Sequence, residues 1–100
     1  MMEEKSIIAR VGESFEVRLE ASKTSGYSWT VSLPLKSLQI IGLISEDVKQ
    51  QASSVGSSSV QSFKFEARSP GNVILIFKYR RSWEKDTPPR YERKYYVNIL

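Results

Sequence analysis

One hundred residues, 40% of them hydrophobic and eleven aromatic, are enough for one folded unit with a real core and exclude a disordered tail. A chain of this length buries roughly 65% of the surface that its unfolded form exposes. The absence of cysteine excludes disulfides and thiolate chemistry, and the absence of histidine removes the commonest general base and metal ligand. The net charge of +4 is mildly basic and suits an acidic partner surface. No apolar run approaches the ~20 residues of a membrane-spanning helix. MMEEKSIIAR is too acidic and too short of apolar residues for a signal peptide. A native start at Met1 implies the cytoplasm, whereas a removed leader would imply a lysosome or secretory vesicle. The location stays unknown on these grounds.

The dominant period along the chain is two. A first strand is expected at residues 6–11. In the second, 14–20, Phe15, Val17 and Leu19 face one way and Glu16, Arg18 and Glu20 the other. The third, 27–33, opens on Tyr27 and Trp29, spaced by two and so on one face. Both read as core anchors, Trp29 the more firmly. A fourth strand is expected at 38–45, and SEDVKQQASS after it has room for one helical turn. In the fifth, 60–67, Val60, Phe63 and Phe65 form the apolar set, with Lys64 and Glu66 outside. The sixth, 73–80, is nearly continuously apolar, as a strand covered on both faces would be. The seventh, 91–99, places Tyr91, Arg93, Tyr95, Val97 and Ile99 on one side. No stretch carries a 3.6-residue stripe with caps. About seven strands with turn signals between them predict an all-β, immunoglobulin-like antiparallel β-sandwich, with 1–100 as a single domain.

The first, third and fifth connections are short, and Pro70-Gly71 marks a tight turn. The even-numbered ones, 21–26, 46–59 and 81–90, are long. Strands that alternate in direction send all three to the same end, where function usually lies. In TSGYSWT, Gly26 suits a backbone shape that a side chain resists. Thr24 and Ser25 are open to partner contact and to plain turn chemistry alike. The Ser-rich stretch offers backbone for strand addition, or is a loose connector. Trp83, among charges and prolines, is read as an exposed interface anchor rather than as packing beneath its own loop. Arg81 has Glu84 and Asp86 within reach for a surface pair. Lys78, Arg80, Arg81, Lys85 and Arg90 form a basic run, followed closely by Arg93 and Lys94. It is either a solvated loop or a charged contact surface.

Three short motifs carry a resemblance. Ser22-Lys23-Thr24-Ser25-Gly26-Tyr27 is followed by Trp29; Gly56-Ser57-Ser58-Ser59 stands before the fifth strand; Arg81-Ser82-Trp83 follows Tyr79. In this order they resemble N-P-T-T-G-Y, G-x-G-G and R-P-W of the chagasin-type inhibitors of cysteine peptidases, in particular the amoebiasin-like members. Lys23 and Ser82 stand where the family has prolines, and Ser58 and Ser59 where it has glycines. The resemblance implies an immunoglobulin-like inhibitor, a monomer when free, that blocks papain-like cysteine peptidases reversibly and without a covalent bond. Its implied contact residues are Lys23, Thr24, Ser25, Gly26 and Tyr27, then Gly56, Ser57, Ser58 and Ser59, then Arg81, Ser82 and Trp83. The Thr24 tip would approach the thiolate, residues 56–59 would run along the non-primed side, and Trp83 would stack on the primed side. About 800 Å² would be buried on each partner.

Other classes are weaker. With no histidine to activate a serine, and with Glu46, Asp47, Glu84 and Asp86 in loops without supporting ligands, neither an enzyme nor a metal or cofactor site is expected. Basic residues interleaved with Tyr79, Trp83, Tyr91, Tyr95 and Tyr96 suit stacked single-stranded bases. However, +4 is modest and the tyrosines alternate as strand residues do. An adhesion-type sandwich is the remaining alternative. The preferred reading has a peptidase partner, with no nucleic acid and no membrane.

Overall fold

The computed structural model describes residues 2–22, 26–50, 58–81, 83–84 and 86–100. In chain order the strands are β1 (Met2–Ala9), β2 (Ser14–Ser22), β3 (Tyr27–Ser32), β4 (Ile41–Gln50), β5 (Ser58–Ala67), β6 (Gly71–Arg81) and β7 (Tyr91–Ile99). They form two facing sheets. One runs β1-β7-β6-β3 and the other β2-β5-β4. Every pairing is antiparallel except β1 with β7, which lie parallel from Met2↔Glu92 to Ala9↔Ile99. The seven-stranded, predominantly antiparallel sandwich is as expected, with this one parallel pair at an edge. The first strand comes in beside the last, both heading to one end, and its successor then crosses to the other sheet.

The core follows from period-two patterning. Phe63, Phe65, Phe77, Leu19, Ile41, Leu75, Val97 and Ile99 are the most deeply buried side chains. Phe77 sits at their centre, edge-on to Phe63 at 5.1 Å, to Tyr95 at 5.3 Å and to Phe65 at 6.4 Å. Edge-to-face contacts of this kind add to the area term of each ring, itself about 2–3 kcal/mol.

Several local expectations change. β6 alternates instead of being covered on both faces: Val73, Leu75, Phe77 and Tyr79 are buried, while Ile74 is exposed. In β5 the inward set is Ser59, Gln61, Phe63 and Phe65, so Val60 belongs to the outer phase. The fourth strand starts later than expected, because a 3₁₀ turn occupies Leu35–Gln39. It then runs through Ser45–Gln50, the start of the expected helical turn, because pairing with Ser59–Lys64 satisfies its backbone. Residues 51–54 of that expected turn lie outside the described residues. The register shift between Leu43 and Ser45 leaves one extra residue in β4, a bulge at Ile44.

One polar residue ties the two sheets together. The backbone N–H of Trp29 donates to Gln61 Oε1 at 2.7 Å, and Gln61 Nε2 donates to the Trp29 carbonyl at 3.2 Å. The Trp29 indole N–H donates to the Glu20 carbonyl at 2.9 Å. The outward-facing amide of edge strand β3 is therefore answered by a side chain of β5 and a carbonyl of β2. This holds the third strand's entry rigidly against the opposite sheet.

Candidate functional site: one pole of the sandwich

The strand registers bring the three long connections together. Ser22 at the end of β2 is opposite Ser58 at the start of β5. Gln50 at the end of β4 is opposite Ser59. Tyr27 at the start of β3 is opposite Arg81 at the end of β6, and Tyr79 is opposite Tyr91 at the start of β7. The connections after β2, β4 and β6 thus leave and re-enter at one pole, as the alternating strand directions predict. Lys23, Thr24, Ser25, Gly56, Ser57 and Ser82 lie outside the described residues. Gly26, Tyr27, Ser59, Arg81 and Trp83 are described, as is the backbone of Ser58.

Gly26 has φ +77°, a conformation that a side chain resists. It is also pressed against Trp83: a Cβ there would lie 2.5 Å from the indole Cη2. The first and third loops are therefore in direct contact. Trp83 remains 67% exposed, with its indole edge on Gly26 and the rest of the ring facing outward.

Beneath this contact an aromatic column leads out of the core. Trp29 is 4% exposed and tilts against Tyr79 at 4.8 Å; Tyr79 in turn stacks on Tyr27 at 5.2 Å. The Arg81 guanidinium lies 4.7 Å from the centre of the Tyr27 ring and 5.9 Å from that of Trp83. Its Nη1 donates to Glu84 Oε1 at 2.9 Å. That hydrogen bond raises the Arg81 pKa still further, so the charge is permanent. Trp29 as a core anchor, the outward Trp83 and the Arg81–Glu84 pair all appear as the residue pattern suggested.

Arg90 was read only as part of the basic run. Its guanidinium lies 5.6 Å from the Tyr27 ring centre and 5.8 Å from that of Tyr91, and its backbone N–H donates to the Tyr79 carbonyl at 2.8 Å. Hydrogen bonds to the Tyr91 and Tyr27 side chains raise its pKa as well. Tyr27 is therefore faced by two arginines, from the two ends of the third loop. Two prolines before Arg90 were the available signal, since they return the chain to the base of the loop.

Ser59, expected among the contact residues, is buried at the start of β5. Only 3% of it is exposed, and its Oγ donates to the Ala21 carbonyl at 3.2 Å. It anchors the start of β5. Ser58 and Ser59 lie in extended strand, and no described non-glycine residue has a positive φ. Neither serine therefore carries left-handed strain. Among the described residues no cluster of three or more Asp or Glu side chains is placed to hold a metal ion.

A model of the chagasin family peptidase inhibitors (I42) matches residues 8–99. Solved structures similar to this chain include a cysteine protease inhibitor, EhICP2, from Entamoeba histolytica. It shares 20% identity, with 99% of this chain and 97% of that one covered and a TM-score of 0.75. PbICP-C, solved in complex with falcipain-2, shares 14% identity over 100% of this chain and 90% of its own, with a TM-score of 0.67. Amebosin, solved in solution, shares 20% identity over 98% of each chain, with a TM-score of 0.57. No curated protein sequence gives a significant match. At these identities the structural likeness speaks for the shared sandwich, while the family model spans nearly the whole chain. The chain belongs to the chagasin family of peptidase inhibitors, and it is an inhibitor rather than an enzyme.

Proposed function

We propose that this protein inhibits papain-like cysteine peptidases by lodging the pole that carries its three long loops in the active-site cleft, as one monomeric unit. The observation that carries this reading is the convergence of Gly26, Tyr27, Arg81 and Trp83 at one end, with Trp83 exposed and braced on Gly26. A papain-like enzyme attacks with a thiolate and needs the scissile carbonyl seated in its oxyanion hole. A glycine-turned tip that reaches the thiolate without seating a carbonyl there blocks the nucleophile and escapes acylation. In this arrangement Lys23–Gly26 form the tip and Gly56–Ser58 lie along the non-primed side. Trp83, with Arg81 and Ser82, covers the primed side. Ser59 supports the second loop from within.

The test is a titration of papain with the protein, read with a fluorogenic substrate, followed by recovery of the inhibitor. The expected result is stoichiometric, reversible loss of activity with the chain intact after long incubation. Full peptidase activity at a large molar excess would refute the reading. Prompt cleavage between Thr24 and Ser25 would mark a substrate instead.

A further inference from the structure

The basic run has a use that loop contacts alone leave unexplained. Residues 78–94 hold seven of the fifteen Lys and Arg but only three of the eleven Asp and Glu, a net +4; the rest of the chain holds eight of each and is neutral. All of the protein's net charge therefore lies in one segment. That segment is the end of β6, the third loop and the start of β7.

The fold places the described cations of this segment at the pole and on the outer face of one sheet. Arg81 and Arg90 lie at the pole, against Tyr27. Lys78 and Lys94 alternate with the buried residues of β6 and β7, which puts them on the outer face of the four-stranded sheet. Lys94 stands over the Tyr96 ring there, at 5.9 Å. Arg80, on the same face, is occupied in holding the loop, with Nη2 donating to the Thr87 carbonyl at 3.1 Å. On that face Lys78 is opposite Glu92 and Lys94 opposite Glu4, whose carboxylate accepts from the Tyr96 hydroxyl, so the cations there are interleaved with two acids and the excess of positive charge lies toward the pole, at Arg81 and Arg90. Charge on one side of a docking edge orients the partner during approach and acts over about a Debye length, ~10 Å at 0.1 M salt.

We infer that residues 78–94 form an electrostatic steering surface that selects peptidases whose cleft rim is acidic on the side where Trp83 docks. This rests on the inhibitor reading above and adds the chemistry of the preferred target. Lys78 and Lys94 lie beside the wedge and not on its edge, so they govern arrival and leave the docked contacts unchanged.

The experiment is stopped-flow association of the intact protein with two papain-like peptidases, one with acidic and one with basic residues along that rim, across a series of salt concentrations. For wild type, the association rate with the acidic-rimmed enzyme should fall about tenfold or more between low and high salt, and that with the basic-rimmed enzyme should stay flat or rise. Lys78→Glu with Lys94→Glu should slow association with the acidic-rimmed enzyme about tenfold at low salt, leave dissociation within about twofold, and lose its effect at high salt. Arg10→Glu with Lys36→Glu makes the same change in net charge at the opposite pole, and should leave both rates within about twofold. Inhibition that persists with salt-independent association, or equal effects of the two double variants, overturns the steering surface while leaving the inhibitor reading intact. Absence of inhibition of either enzyme overturns both. Tight binding of a single-stranded oligonucleotide by the same lysines at physiological salt would assign the flank to nucleic acid and overturn the proposal.

Discussion

Gly26 lies so close to the indole of Trp83 that a methyl group in its place would sit 2.5 Å from the ring. Two loops far apart in the chain are thereby fitted to each other before any partner arrives. Gly26→Ala adds both that clash and a side chain at φ +77°, a backbone strain of about 1–2 kcal/mol. Inhibition of papain should weaken at least tenfold, with Trp83 fluorescence shifted as the ring is displaced. An unchanged inhibition constant together with an unchanged spectrum would show that the contact does not shape the edge.

Trp83→Ala separates binding from folding. The side chain is 67% exposed, so its removal leaves the core untouched. The unfolding free energy should change by less than ~0.5 kcal/mol. Inhibition should weaken by ~2 kcal/mol or more, about thirtyfold, if the indole is the aromatic anchor. Equal losses in stability and in inhibition would place Trp83 in the fold rather than at the interface.

Gln61→Leu tests the tie between the sheets. It keeps the bulk of the side chain but strips both partners from the Trp29 backbone amide. Each unpaired buried group costs about 1–3 kcal/mol. The urea midpoint should fall accordingly, and inhibition should weaken as well because β3 positions Gly26. Phe77→Ala, at the centre of the aromatic cluster, should lose about 3–5 kcal/mol. A Gln61→Leu protein as stable as wild type would mean that water replaces the lost bonds.

The pH behaviour should be featureless around neutrality. Arg81 has its pKa raised by its hydrogen bond to Glu84. A group raised in the folded state contributes its full stability below the unfolded value, and loses it only as pH climbs through the folded one. For Arg81 that window lies in strongly alkaline solution, far from neutrality. With no histidine in the chain, no side chain of that class titrates between about pH 6 and 8. Urea midpoints should coincide across that range, and changes in inhibition should follow the ionisations of the peptidase alone. A midpoint that drifts steadily between these limits would reveal a coupled group in the fold.

The sandwich was legible wherever one face of a strand is apolar and the other polar. Phe15-Val17-Leu19 and Tyr95-Val97-Ile99 each specify an inward set, because a slip of one residue would turn all three to solvent. The three long loops were placed at one end by the alternation of strand directions, because the even-numbered connections then share a pole. Trp29 and Trp83 were told apart by their neighbours, alternating strand residues for one and charges and prolines for the other.

What required the tertiary structure was everything that depends on a partner distant in sequence. Ser45–Gln50 joins β4 because β5 offers it a ladder, against a local composition that suits a helical turn. β1 runs parallel to β7 because the two strands that begin and end the fold share an edge, which no short-range pattern encodes. Gln61 and Ser59 look like surface residues by type, yet they face inward and bond to backbone from other strands. The Arg90–Tyr27 contact joins residues far apart in the chain that meet only once β3 and β6 are paired. Local side-chain chemistry was enough to name most of the strands and the long loops that share one pole. The register between strands, set by backbone hydrogen bonds and core packing, decided which described side chains meet at that pole.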